Sequence, residues 1–74
     1  MTATDTVDRI TELRAEAHGI GHGHGWTHGA FVDAYGGDPD AEPEVPARFA
    51  AVASFYTDAY AEGVADYFDD TADM

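Results

Sequence analysis

Apolar and small residues recur at alternating spacings of three and four through the first half of this chain. They are Ile10, Leu13, Ala17, Ile20, His24, Thr27, Phe31 and Ala34. Spacings of this kind repeat with the period of an α-helix. The pattern predicts a helix over about residues 5–35, and Gly36 and Gly37 end it because glycine commonly follows a last helical turn.

The middle of this helix carries an unusual run of glycines and histidines at residues 18–29. The four glycines from Gly19 to Gly25 cost on the order of 4 kcal/mol relative to alanine in a helix interior. Two alternatives follow: a continuous or kinked helix whose glycines are offset by packing, or two shorter helices with a loop near residues 19–25. The unbroken spacing favours the first. Gly21, Gly25 and Gly29 also recur every four residues, which would let another backbone approach closely, as in membrane helix pairs.

A second helix is predicted over about residues 46–69. Pro46 suits its first position, and the residues on one face are Phe49, Val52, Ala53, Tyr56, Tyr60, Gly63, Val64 and Tyr67. Prolines, glycines and acids between the helices predict a solvated connector over residues 36–45. We expect residues 70–74 to form a frayed tail. Phe49, Tyr56, Tyr60 and Tyr67 are the expected core.

These elements predict a single all-α domain over residues 1–74, built as a two-helix hairpin. Two helices cannot enclose a core by themselves, and a chain of 74 residues buries little of its surface. Two hairpins packed face to face form a four-helix bundle. The architecture we expect is therefore a homodimer of this kind, with a larger helical assembly as the next alternative.

The charge balance changes the expected environment. Fifteen acidic residues oppose Arg9, Arg14 and Arg48, there is no lysine, and the net charge is −12. Such a chain repels itself in dilute buffer, whereas molar salt shortens the Debye length to about 3 Å. The composition resembles that of cytoplasmic proteins from salt-in extreme halophiles. The alternative interpretation is an acidic protein from a high-GC bacterium.

The same composition and pattern exclude several classes of function. The chain starts without a basic, apolar leader, and no stretch approaches the roughly 18 apolar residues of a membrane span. A polyanionic surface is unsuited to nucleic acid. We therefore expect a soluble, cytoplasmic protein that binds neither membranes nor nucleic acid.

The four histidines are the main candidates for chemistry. His18 and His22, and again His24 and His28, are four residues apart and so share a helix face. Two His24/His28 pairs from two subunits would offer four nitrogens to zinc, nickel or copper. The alternative is that His24 and His28 bond tyrosine hydroxyls or backbone carbonyls. For His18 and His22 the alternative is a solvated polar surface.

Enzyme activity is not expected from this sequence. Ser54 is the only serine, cysteine is absent, and without lysine the glycine run cannot be a P-loop. The sequence instead predicts a protein that acts through self-association and protein contact, without a cofactor. Its interface residues would be Gly21, Gly25, Gly29 and Trp26, where Trp26 either anchors a partner or covers the second helix. The alternative function is a histidine metal site at a dimer interface.

Overall fold

Two α-helices pack side by side in the computed structural model, which describes residues 3–72 and the side chains of residues 9–72. Helix α1 spans Ala3–Tyr35, and helix α2 spans Ala53–Thr71. A 3-10 helix, Ala47–Val52, precedes α2. The described residues contain no strand. The predicted all-helical class, with two helices packed against each other, is confirmed.

Helix α1 continues through the glycine and histidine run, as the unbroken spacing of its apolar positions indicates. It ends where the glycines begin. Gly36 has a φ of +86° and Gly37 a φ of +131°, which are conformations that only glycine adopts readily. The amide of Gly36 donates to the carbonyl of Val32 at 2.8 Å and so satisfies one of the free carbonyls of the last turn.

The second helical region differs from its predicted bounds. Residues 47–52 form 3-10 rather than α-helical turns, and Val52, with φ −128° and ψ 32°, marks the change to α2. Pro46 lies directly before this region, consistent with its preference for a helix start. Helix α2 continues to Thr71, two residues beyond the predicted end. Residues 73 and 74 of the predicted tail lie outside the described residues.

The two helices run in the same direction. Their close contacts pair Gly21 with Tyr56, Gly25 with Tyr60 and Gly29 with Tyr67. Residue numbers therefore increase together along both helices. The connector returns the chain from the end of α1 to the start of the 3-10 helix, and on its way residues 39–43 and Val45 line the outer side of α2. It is a crossover rather than a tight turn.

The length of the connector permits this return path. Residues 36–46 extend at most about 36 Å when fully stretched. The part of α1 from Ala17 to Tyr35, which the connector must retrace, is about 27 Å long. Three prolines keep the segment extended because proline fixes φ and removes an amide donor.

A small core joins α1, the 3-10 helix and the start of α2. Its buried members are Ala17, Phe49, Val52 and Tyr56, with Leu13, Ile20, Val45 and Tyr60 packed around them. The rings of Phe49 and Tyr56 are stacked, with centroids 5.8 Å apart. Phe49 and Tyr56 are buried as the α2 pattern predicts, whereas Tyr60 and Tyr67 are only partly buried.

The expected apolar stripe of α1 is buried only in part. Ala17 is the buried member of the stripe, while His24, Thr27, Phe31 and Ala34 are exposed. The other buried residues of α1 are Gly21, Gly25 and Gly29, which lie outside the stripe. Positions four residues apart advance by about 40° around a helix of 3.6 residues per turn. Helix α2 follows this inclined row of small residues and so leaves the second half of the predicted stripe uncovered.

The resulting molecule is flat. Its principal extents are 50 × 23 × 12 Å, and its radius of gyration of 14.4 Å exceeds the roughly 11 Å expected for a compact domain of this length. A thickness of 12 Å is that of one helix with its side chains. Within residues 3–72 no helix combines the length and the hydropathy needed to cross a membrane.

Candidate functional site

Gly21, Gly25 and Gly29, here called the glycine row, lie four residues apart on α1 and pack directly against α2. A Cβ atom on Gly21 would lie 2.6 Å from the carbonyl oxygen of Tyr56. A Cβ atom on Gly25 would overlap the carbonyl oxygen of Tyr60. Such separations are far shorter than van der Waals contact, so only glycine permits this approach. The close packing that the glycine spacing predicts is thus made inside one chain.

Helix α2 contributes a reciprocal glycine to the same contact. A Cβ atom on Gly63 would overlap the carbonyl oxygen of His22 and lie 2.9 Å from the amide nitrogen of Trp26. Gly29 completes the row against the ring of Tyr67, where a Cβ would lie 3.0 Å from ring atoms. The surface of Gly21, Gly25 and Gly29 is therefore occupied by α2 and is closed to a second subunit in this conformation.

One side of the glycine row carries a shallow groove, here called the aromatic face. Its volume is about 370 Å³, and its lining residues are His24, Thr27, His28, Phe31 and Tyr60. Phe31 is 58% exposed, and its ring lies 5.0 Å from that of Tyr35, which is 79% exposed. Within the described residues, these two large aromatic side chains at the end of α1 have no neighbour that covers them.

His24 and His28 both belong to the aromatic face. Nδ1 of His24 shares a hydrogen bond of 2.8 Å with the hydroxyl of Tyr56. The ring of His28 lies 5.4 Å from that of Tyr60, and its buried Nδ1 has no hydrogen-bond partner within residues 9–72. The tyrosine bond expected as an alternative to metal binding is thus present at His24.

The other side of the glycine row carries two contacts between a histidine and a carboxylate, here called the ion-pair face because they are ion pairs when the imidazoles are protonated. Nε2 of His22 donates to the carboxylate of Asp66 at 2.7 Å. Nε2 of His18 lies 3.4 Å from the carboxylate of Glu62. His18 and His22 are therefore bridged to α2 instead of standing free in solvent. These pairs are exposed, so each contributes only about 0–1 kcal/mol to stability.

Trp26 also contacts α2. Its ring meets Tyr67 edge-to-face, with centroids 5.4 Å apart. The hydroxyl of Tyr67 donates to the carboxylate of Asp33 at 2.8 Å. This hydrogen bond, with smaller effects of burial and of the Asp33 charge, raises the pKa of Tyr67. Of the two roles expected for Trp26, the structure shows it partly buried against the second helix.

The tyrosines at the helix contact have a common electrostatic property. Burial raises the pKa of Tyr56, and the neighbouring Tyr60 raises it further. Burial likewise raises the pKa of Tyr60. Because desolvation disfavours the charged phenolate, the packed interface keeps these hydroxyls protonated.

No three His, Cys, Asp or Glu side chains come together around one point in the part of the chain that the structure describes. A single copy thus offers the aromatic face two imidazoles, His24 and His28. A tetrahedral zinc site needs four ligands, or three and a water. These two residues fit a metal only as one half of a shared site.

A larger groove, the connector groove, lies between α2 and the returning connector. Its volume is about 770 Å³. The α2 side consists of Thr57, Tyr60, Ala61, Val64, Ala65 and Phe68, and the connector side of residues 39–43 and Val45. The hydrophobic pattern of the sequence does not predict this groove. The length of the connector, residues 36–46, could have indicated it, because helix–helix connections in bundles commonly span only two to eight residues.

Charge is distributed unevenly along the molecule. Arg14 lies over the ring of Phe55 at 4.9 Å, and Arg48 lies over Phe49 at 4.4 Å. Arg48 also donates to Glu16 at 2.9 Å. No Lys or Arg occurs between Arg14 and Arg48 or after Arg48. At the end of the molecule where both helices terminate, acidic residues are therefore not balanced by any lysine or arginine.

Comparison of the chain with protein-family models, with curated proteins and with solved structures finds no match.

Proposed function

We propose that this protein acts through self-association and protein contact, with two copies packed through their aromatic faces into a four-helix bundle of two layers. The observation that carries this proposal is a structure one helix thick whose aromatic face is uncovered. Large exposed aromatic side chains are typical anchors of protein interfaces. We assign no catalytic role to any residue.

The two faces of the molecule favour one orientation of the dimer. The ion-pair face satisfies its charged groups within the chain and suits solvent. None of the five residues that line the aromatic face is acidic, although the whole chain carries a charge of −12. Pairing through the aromatic face therefore buries apolar rings without placing carboxylates opposite one another. The glycine row and Trp26, which contact α2, are left out of this interface.

Salt sets the conditions for such a dimer. Two copies of charge −12 repel each other over about 10 Å at 0.1 M salt and over about 3 Å at 1 M. Association is thus expected in molar salt, in keeping with the composition typical of a halophile cytoplasm. We propose that compartment as the place where the protein works.

Sedimentation equilibrium in molar KCl tests the dimer. We expect the unmodified chain to be dimeric and Phe31→Ala to raise the dissociation constant about tenfold or more, because truncating an anchor costs more than 1 kcal/mol. Phe55→Ala is the matched control, since Phe55 is 41% exposed but lies outside the aromatic face. A monomer at every concentration, or equal effects of the two variants, would refute the proposal.

A shared metal site at the same interface is the second candidate function. His24 and His28 line one groove, so two copies would present four imidazoles, a suitable set for zinc, nickel or copper. Nδ1 of His24 and the hydroxyl of Tyr56 share a hydrogen bond of 2.8 Å. In the tautomer in which Nδ1–H donates to that hydroxyl, Nε2 has the lone pair that a metal needs.

Metal titration of the untagged protein tests this candidate. Zinc or nickel should raise the thermal midpoint, with about 2.7 kcal/mol of stabilisation at a hundredfold excess over Kd. The double variant His24→Gln with His28→Gln should abolish the shift, and His18→Gln with His22→Gln should retain it. An unchanged midpoint with every metal removes the metal function and leaves the dimer intact.

A further inference from the structure

The connector groove has an apolar floor of regular spacing. Tyr60, Val64 and Phe68 line it at every fourth position of α2, so the floor extends about 12 Å, or two helical turns. Exposed Ala61 and Ala65 beside them leave room for incoming side chains. A volume of about 770 Å³ lies within the range of pockets that hold ligands.

The rim of the groove is acidic and has no positive charge of its own. Asp40 and Glu42 lie on the connector side. Because α1 and α2 are parallel, the negative ends of both helix dipoles lie at the same end of the molecule. Neither helix has a basic residue in its last turn. Arg14 and Arg48, which could have balanced this charge, cover Phe55 and Phe49 at the other end.

We infer that the connector groove docks a short basic amphipathic helix from another protein. Apolar side chains four residues apart on that helix would contact Tyr60, Val64 and Phe68, and flanking Lys or Arg would face Asp40 and Glu42. This is the helix-in-groove mode of recognition. The inference rests on the proposed function only in that the chain acts through protein contact. The protein that carries this helix would be a second partner beside the dimer mate.

Charge complementarity selects this occupant over a second copy of the chain. A second copy has a net charge of −12, and its Arg48 is already paired with Glu16. A basic helix gains attraction from the rim and apolar contact from the floor. The electrostatic contribution of the rim to binding affinity should weaken as salt is raised, while the apolar contribution of the floor remains.

Fluorescence anisotropy with synthetic peptides tests the inference on the full-length protein. The probe is a labelled helix of leucine and lysine whose leucines are four residues apart. A scrambled peptide of the same composition tests for general attraction to an acidic surface, and a version with Glu in place of Lys tests the charge. We expect the probe to bind at least about tenfold more tightly than the scrambled peptide, and the Glu peptide not to bind.

Two variants locate the binding. Glu42→Lys should weaken binding of the probe about tenfold. Glu12→Lys, an equal charge change at the far end of α1, should have little effect on its binding. Ala65→Trp should fill the groove and abolish binding. Should that variant fail to fold, Glu42→Lys in the exposed connector still decides the question.

Equal weakening by Glu42→Lys and Glu12→Lys, or equal binding of the scrambled peptide, would overturn the inference. Sedimentation of the same samples separates it from the proposed dimer. Peptide binding by a monomer would reject self-association and support the groove. A dimer that is weakened by Phe31→Ala but does not bind the probe would support self-association and reject docking in the connector groove.

Discussion

Glycine at position 25 occupies a site where any larger residue would displace α2. The carbonyl oxygen of Tyr60 fills the space of its absent side chain, as that of His22 does at Gly63. Gly19 and Gly23 differ from these, because nothing lies within 4 Å of where their Cβ atoms would be. The helical glycines are thus of two kinds: Gly19 and Gly23 are open to substitution, whereas Gly21, Gly25, Gly29 and Gly63 lie against the other helix.

Alanine at the two kinds of position should have opposite effects on stability. Gly25→Ala should destabilise the fold by about 1–3 kcal/mol or more, because the added methyl group overlaps backbone. Gly23→Ala should stabilise it by about 0.8–1.0 kcal/mol through helix propensity. Urea unfolding in molar salt measures both. Similar changes at both sites would mean that α2 does not approach Gly25 closely.

At the scale of elements, the two helices differ in how well their patterns predict their packing. The predicted stripe of the second helical region includes Phe49 and Val52 of the 3-10 helix and Tyr56 and Val64 of α2, and all four are buried. In α1 the buried row is formed by Ala17 and three glycines, residues that carry little hydrophobic signal. The second half of the predicted stripe, from His24 to Ala34, is exposed because α2 can approach only where side chains are small.

The packing of α2 against α1 should also make the fold sensitive to alkaline pH. The pKa values of Tyr56, Tyr60 and Tyr67 are raised above the ordinary 10.0. Above that pH the unfolded chain loses these protons before the folded chain does. The free energy of unfolding should therefore be unaffected below pH 10.0 and decrease as pH rises through the folded pKa values.

Unfolding in denaturant across this pH range, with tyrosinate absorbance recorded in parallel, checks that expectation. Tyr56→Phe should make the alkaline decrease less steep, because one group that links protonation to folding is removed. Stability that stays constant or increases above the ordinary tyrosine pKa would show that the rings are not desolvated in the folded state.

For the whole molecule, flatness and charge are the dominant properties. A layer 12 Å thick leaves both faces of each helix open, and the charge of −12 is borne by a surface with few cations. Apolar burial is small, so electrostatic repulsion is a large fraction of the stability balance. Salt should consequently control folding as well as association.

The thermal midpoint should rise between 0.1 M and 1 M KCl as the Debye length falls from about 10 Å to about 3 Å. A variant with Glu12→Gln and Asp58→Asn should show a smaller rise, because these exposed carboxylates contribute only to repulsion. Circular dichroism at several protein concentrations separates folding from dimer formation. A midpoint that is independent of salt in both proteins would contradict this account.

Local periodicity was sufficient to predict the helical class, the continuity of α1, its glycine end and the burial of Phe49 and Tyr56. These features depend on residues close in sequence, where the helical period decides which side chains share a face. The sequence also brought His24 and His28 together on one face, since four residues make one helical turn.

Tertiary structure alone decided that α1 and α2 are parallel, that the glycine row packs within the chain, and that Trp26, His18 and His22 contact α2. It also created the connector groove. Helical spacing has no information on the direction of a neighbouring helix. That direction depends on where two backbones can approach most closely and on whether residues 36–46 can span the return, which are properties of the folded chain.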